Sequence, residues 1–171
     1  PMGSGLSSSA AVEVGFAVLW QTIGGWELDR ITLAQLCQEA ENRYVGVNCG
    51  LMDQFASANG VEGHALYFDT RTLAWHPVPL PPKSAIIIAD SRMRRSLSNS
   101  AYNERRASCE EAVRLLQTKL PHIRALRDVS PADFARFGSL LPAEVHKRAQ
   151  HVVEECARVD EAAQCLQLGD A

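Results

Sequence analysis

The stretch GSGLSSS at residues 3–9 places two glycines before three serines, and an apolar run with one charge follows. Gly3 and Gly5 have no Cβ, so the backbone there can turn left-handed and approach a ligand closely. Ser7, Ser8 and Ser9 fall where a helix should start. The first turn of a helix leaves N–H groups without partners, and the helix dipole makes that end partly positive. A phosphate satisfies such donors. Serine hydroxyls can add hydrogen bonds or supply an oxygen to Mg²⁺. The alternative is an ordinary glycine loop with a serine N-cap, for which one serine suffices. The pattern is neither G-x-G-x-x-G after a strand nor G-x-x-x-x-G-K-[ST], which argues against a Rossmann turn and a Walker loop.

A phosphate loop of this kind needs a metal and a carboxylate. Positioning and charge stabilisation dominate phosphoryl transfer, and Mg²⁺ takes a few oxygen ligands while keeping several waters. Two of the 20 acidic residues stand in unusual settings. Glu41 ends an amphipathic stripe just before a glycine loop, with a solvated helix face as the alternative reading. Asp53 sits in NCGLMDQF, among Cys49, Gly50, Leu51, Met52 and Phe55. An acid there is either exposed by a turn or buried with partners. The alternative is an acid that complements a helix N-terminus. The histidines form no site: His146 and His151 are five apart, and His64, His76 and His122 are isolated, so a zinc site is not expected. SRMRRS (91–96), with Arg105 and Arg106, reads as a solvated basic surface. Tyr102 is the one aromatic near it in sequence, so the interleaving of a single-strand binder is missing.

These residues must be held by elements that the pattern also suggests. From Ser9 to about Ile23 the one charge is Glu13, which predicts a buried helix stopped at Gly24-Gly25. Thr32 and Gln35 read as a capping box. Leu33, Leu36, Cys37, Ala40 and Tyr44 then give a helical stripe that Gly46 breaks. A glycine loop and a short helix ended by Gly60 follow. HALYFDT and LAWHPVPL read as two strands joined near Thr70-Arg71. PLPPK (79–83) is the linker candidate, and SAIIIAD (84–90) reads as a buried strand. Ser100 and Ser130 each open a helix. A long amphipathic helix runs from Val145 to Leu166. Helices, a hairpin, a linker, then a strand and helices make an α+β order.

Composition sets outer limits. The 171 residues fit one domain or parts of two. Hydrophobic residues at 46% support a core, and a net charge of −3 gives no reason to expect nucleic acid as a partner. Cys37, Cys49, Cys109, Cys156 and Cys165 show no C-x-x-C pair and read as reduced, hence cytoplasmic. No leader and no membrane-span stretch are visible. The chain starts inside a motif and ends just past a helical pattern, which reads as an internal piece of a longer protein.

PMGSGLSSSAA resembles the second signature of the GHMP small-molecule kinases, P-x-x-x-G-L-S-S-S-A, the loop that holds ATP phosphates. QEAENRYVGVNCGLMDQFASANG, GHALYFDTRTL, SRMRRSLSNSAYNERR and KRAQHVVEECARVDEAAQCLQLGD resemble the galactokinase branch of that family. The resemblance covers nearly the whole chain, and CGLMDQF followed by S-x-Y-x-x-R-R is its most specific part. It implies the GHMP fold, with 1–82 as the latter part of the N-terminal α/β domain and 83–171 as the start of the C-terminal one. It implies ATP, Mg²⁺ and D-galactose as ligands, phosphorylation at the C1 hydroxyl as in the Leloir pathway, and a monomer with no nucleic-acid or membrane partner. Gly3, Ser4, Gly5, Leu6, Ser7, Ser8 and Ser9 would hold the ATP phosphates. Ser9 and Glu41 would ligate Mg²⁺, Asp53 would be the catalytic aspartate, and Gly50 and Tyr102 would contact the sugar together with Asp53. The first family signature, G-R-x-N-x-x-G-E-H-x-D-Y, and the third, G-G-G-F-G-G, are not in these 171 residues. The chain by itself is therefore expected to be inactive. The alternatives are a kinase for N-acetylgalactosamine or arabinose, and a non-catalytic sugar sensor of the same family.

Overall fold

The computed structural model describes residues 5–89 and 100–169. They fall into two compact units, one within residues 1–99 and one within 100–170. Six α-helices and a two-stranded sheet are present among the described residues, an α+β content as the sequence order suggests.

In the first unit, α1 (Ser8–Gly24) starts directly after two left-handed residues, Gly5 at φ 80° and Ser7 at φ 52°. It stops where the glycines predict. Gly25 takes φ 67° and its N–H caps the carbonyl of Gln21. The helix is not buried as expected. Ala10 and Val14 are covered, whereas Phe16, Trp20 and Ile23 are 54%, 61% and 74% exposed. The reason is geometric: α1 lays one stripe on its neighbours, and among the described residues nothing covers its other sides. Apolar content in a sequence says that a face needs cover, and it does not say which segment supplies it.

Helix α2 (Arg30–Ala40) corrects the capping box. It starts two residues before Thr32, and Asp29 is the N-cap, accepting from the N–H groups of Ile31 and Thr32 at 3.1 and 3.0 Å. Thr32 lies in the first turn and gives its hydroxyl to Asp29. A carboxylate at the cap outcompetes a hydroxyl because it accepts both N–H groups and complements the dipole. The chain then widens into a π-helical turn, Glu41–Val45, ended by Gly46 at φ 79°. Helix α3 (Met52–Asn59) follows and ends at Gly60.

Strands β1 (His64–Phe68) and β2 (Trp75–Pro79) pair antiparallel, His64 opposite Pro79 and Phe68 opposite Trp75. Asp69 shapes the turn between them, accepting from the N–H groups of Arg71 and Thr72. The hairpin closes over α3: Phe55 stacks on Phe68 with centroids 3.7 Å apart and meets the edge of Trp75 at 5.6 Å. Ala34, Leu51 and Phe55 form that core, while Val14, Leu33 and Cys37 form another between α1 and α2. The expected buried strand at 84–90 is absent over its described part, residues 84–89. Ile86, Ile87 and Ile88 are irregular and 77%, 88% and 64% exposed. A buried strand needs a paired edge, and none of the described residues pairs with this one. SRMRRS lies outside the described residues.

The second unit packs α4 (Ser100–Leu116), α5 (Pro131–Phe137) and α6 (Ala143–Leu168). Ser130 caps α5 as expected, accepting from the N–H of Asp133 at 3.0 Å. The helix predicted over 145–166 is α6, closed by Gly169 at φ 72°. Leu116, Ile123, Leu126, Ala149 and Val153 fill its core. No described helix is long and apolar enough to cross a membrane.

Candidate active site

The serine turn leads into α1 with Ser7 at the N-cap position. Ser7 is itself left-handed, and its side chain makes no capping hydrogen bond. The plain N-cap reading therefore does not describe it. The described part of the turn, Gly5, Leu6, Ser7, Ser8 and Ser9, presents backbone donors of a helix start beside hydroxyl groups, which is the arrangement an anion needs. Gly3 and Ser4 lie outside the described residues.

Ser9 reaches across 32 residues of sequence. Its Oγ donates to Oε1 of Glu41 at 2.9 Å. Glu41 is 7% exposed, which overturns the solvated-face alternative. A buried carboxylate needs partners, and Glu41 has them on both oxygens. Gln54 Nε2, from fully buried Gln54, donates to Oε2 at 2.6 Å. The Cys49 thiol approaches the same oxygen at 3.7 Å and donates to Asn42 Oδ1 at 3.4 Å. The π-helical turn carries Glu41 to this point, and α3 carries Gln54.

The Gln54 amide also donates to Glu13 Oε2 of α1 at 3.2 Å. Its orientation follows from charge: an amide oxygen facing two carboxylates would be repelled, so the NH₂ must face them. The opposite atom, Gln54 Oε1, is buried with no partner among the described residues. An orphaned buried acceptor costs about 1–3 kcal/mol, offset here by two hydrogen bonds to charged groups. Burial holds the Glu13 carboxyl above its ordinary range; the Gln54 hydrogen bond opposes this, and the Glu41 charge adds to it. Burial, and then the neighbouring Glu41 charge, push the Cys49 thiol up to about 11. That thiol stays protonated near neutral pH and serves as a weak donor.

The raised Glu13 predicts a pH effect. Below its unfolded pKa the group is protonated in both states and contributes nothing. As pH rises through the window up to the folded pKa, the unfolded chain loses its proton first, so Glu13 increasingly destabilises the fold. Glu13→Gln removes that penalty and still accepts from Gln54. We expect its melting temperature to exceed that of the parent chain at pH 7–8, with the gap closing as pH falls to about 4. Thermal melts across that range check it, and a gap that widens in acid contradicts it.

Asp53 occupies the first turn of α3, where the helix dipole favours an acid. It is half-buried, and among the described residues no hydrogen bond or ion pair engages it. It directly precedes Gln54, so one helical turn bears both Asp53 and the partner of Glu41. Gly50 is exposed, and a Cβ there would meet nothing within 4 Å. Tyr102 belongs to the second unit, on the first turn of α4, and is 48% exposed.

A hydroxyl and a carboxylate oxygen that already face each other suit a hard cation drawing few ligands from protein. Among the described residues no group of three or more His, Cys, Asp or Glu could hold a metal. A cation on Ser9 and Glu41 would therefore draw its other oxygens from a nucleotide and water. Sequence reasoning missed Gln54, Cys49 and the contact made by Glu13. Glu13 did carry a signal, as the one charge in the apolar run of α1. Gln54 carried none, since a glutamine beside an aspartate looks like an ordinary polar pair.

Residues 1–61 match the GHMP kinases N terminal domain. Over 170 residues the chain is 48% identical to the galactokinase of Chloroflexus aurantiacus and 47% identical to that of Roseiflexus sp., covering 99% of this chain and 44% of each relative. The structure of Lactococcus lactis galactokinase complexed with galactose superposes with a TM-score of 0.87 at 34% identity, over 99% of this chain and 44% of that one. The chain thus spans less than half the length of the relatives it matches. Along that span it is similar to galactokinases over nearly all of its residues, and its fold is that of the matching part of a GHMP kinase.

Proposed function

We propose that the whole protein bearing this stretch is a galactokinase that transfers the γ-phosphoryl of ATP to the C1 hydroxyl of D-galactose. The observation that carries the reading is the Ser9–Glu41 hydrogen bond at the mouth of the left-handed serine turn, on the unit that also bears Asp53. The relatives named galactokinase support it, as does the galactose in the Lactococcus lactis structure. In this reading the serine turn and the first N–H groups of α1 bind the phosphates. Mg²⁺, held by Ser9 and Glu41, supplies positive charge against the phosphate oxygens when bound. Asp53 accepts the proton of the C1 hydroxyl as that oxygen bonds to the γ-phosphorus and the bond to ADP breaks. Gly50 leaves room for the sugar, and Tyr102 donates to one of its hydroxyls. Residues 1–82 belong to the N-terminal domain and 83–171 open the C-terminal one, in a monomeric cytoplasmic enzyme of galactose metabolism.

ADP release by the full-length protein tests it, with galactose, glucose, N-acetylgalactosamine and mevalonate as acceptors. Galactose should be turned over best. Equal or faster turnover of any other acceptor overturns the assignment. Ser9→Ala should raise the MgATP requirement by roughly an order of magnitude, with partial relief from excess Mg²⁺; an unchanged Mg²⁺ titration removes Ser9 from the site. Tyr102→Phe deletes one hydrogen bond, typically about 0.5–1.5 kcal/mol. Galactose KM should rise several-fold while ATP KM stays put, and the reverse pattern would move Tyr102 away from the sugar.

A further inference from the structure

The two oxygens of Glu41 are not equivalent. Oε1 faces Ser9 at the serine turn, whereas Oε2 is held by the Gln54 amide at 2.6 Å, with the Cys49 thiol at 3.7 Å beside it. Gln54 is itself held. It is fully buried, its second N–H goes to Glu13, and its own oxygen is left without a partner among the described residues. The amide therefore cannot relax without leaving a buried carboxylate short of a donor. With Gln54 on one lone pair of Oε2 and the plane of the carboxylate held by it, Oε1 is the oxygen better placed to meet a cation.

That restriction discriminates between cations. Mg²⁺ demands near-octahedral geometry with short bonds and is commonly held by single carboxylate oxygens, with water filling the remaining positions. Ca²⁺ is larger, accepts six to eight oxygens, and readily takes both oxygens of one carboxylate. We propose that Gln54 is a positioning residue that keeps Glu41 a one-oxygen ligand, and that it thereby favours Mg²⁺ over Ca²⁺ at the serine turn. This rests on the reading of Glu41 as a metal ligand. Gln54 acts through Glu41 and touches neither metal nor substrate. Glu13 fixes the amide from the α1 side, so a residue one helical turn beyond Ser9 contributes to the choice of cation.

The test uses the full-length protein and binding rather than turnover. Calorimetric titration with the Mg²⁺ or the Ca²⁺ complex of a non-hydrolysable ATP analogue gives the two affinities. Gln54→Met keeps the size of the side chain and removes both donors. The Mg²⁺ complex should bind roughly 10-fold more weakly, and the ratio of Ca²⁺ to Mg²⁺ affinity should rise by about as much. Melting without metal shows whether Gln54→Met has folded. If it has not, Gln54→Asn retains a buried amide one methylene too short to reach Oε2, and the same shift in the ratio is expected. A folded variant that keeps both the affinity and the ratio of the parent protein overturns the proposal. A uniform loss for both ions also overturns it, because it shows a structural role without discrimination. Glu41→Gln separates the two readings. If it weakens the Mg²⁺ complex while the Gln54 variants do not, Glu41 stands as a ligand and the role of Gln54 falls. If it binds like the parent protein, the ligand reading itself falls.

Discussion

Asp53→Asn in the full-length protein should lower kcat for galactose by about 10²–10⁴-fold and leave MgATP affinity nearly unchanged. Asparagine keeps the shape and the place on the first turn of α3, but it removes the charge and the ability to take a proton. A positioned base is worth roughly 3–5 kcal/mol of barrier. Phosphoryl transfer is often loose, so little proton transfer is needed early, and this pulls the effect toward the lower end of the range. Steady-state kinetics with galactose and ATP varied separately distinguish the outcomes. Near-normal kcat would leave Asp53 as an acid that serves the helix dipole and nothing more. A rise in ATP KM with kcat intact would place it on the nucleotide side instead.

The second large effect is on stability. Phe55→Ala should destabilise the first unit by about 3–5 kcal/mol, the usual range for truncating a buried aromatic. Phe55 is 1% exposed, and it joins α3 to the hairpin through Phe68 and Trp75. It also lies one residue after Gln54 and two after Asp53, so the cavity opens under the helix that positions both. Denaturant titration gives the stability change. A loss under about 1 kcal/mol would show that the hairpin collapses onto the gap, and that the ring is not what fixes α3.

What could be read in advance follows the range of the interactions. Gly5, Gly25 and Gly46 announced their turns because backbone conformation is a local property, whereas the left-handed Ser7 reads in sequence as part of the helix start. The hairpin was legible for the same reason, with β-formers on both sides of an Asp-led turn. Thr32 misled because a capping box and an aspartate cap differ by a shift of the helix start, and side-chain type alone does not fix that start. Ile86, Ile87 and Ile88 misled in the opposite way. Their apolarity is real, but a strand exists only with a partner, and pairing is a long-range fact. At the site, Ser9, Glu41 and Asp53 were reached through spacing and resemblance. The amide that joins Glu13 to Glu41 was not, because Gln54 lies 41 residues from one partner and 13 from the other. Contacts of that separation leave no mark on local pattern.

The division into two units has an optical consequence. All three tryptophans, Trp20, Trp26 and Trp75, fall within residues 1–99, and residues 100–171 contain none. Trp26 is folded back over Gly24, where an added Cβ would lie 2.2 Å from its indole nitrogen, and Trp75 sits at the edge of the Phe55 ring. Indole fluorescence therefore follows the serine-turn half alone. The second unit is helical throughout its regular elements and contributes to the far-ultraviolet circular dichroism without adding to that emission. If the halves melt independently, the two signals will part company in one temperature ramp. If they coincide, the chain unfolds as a single cooperative body.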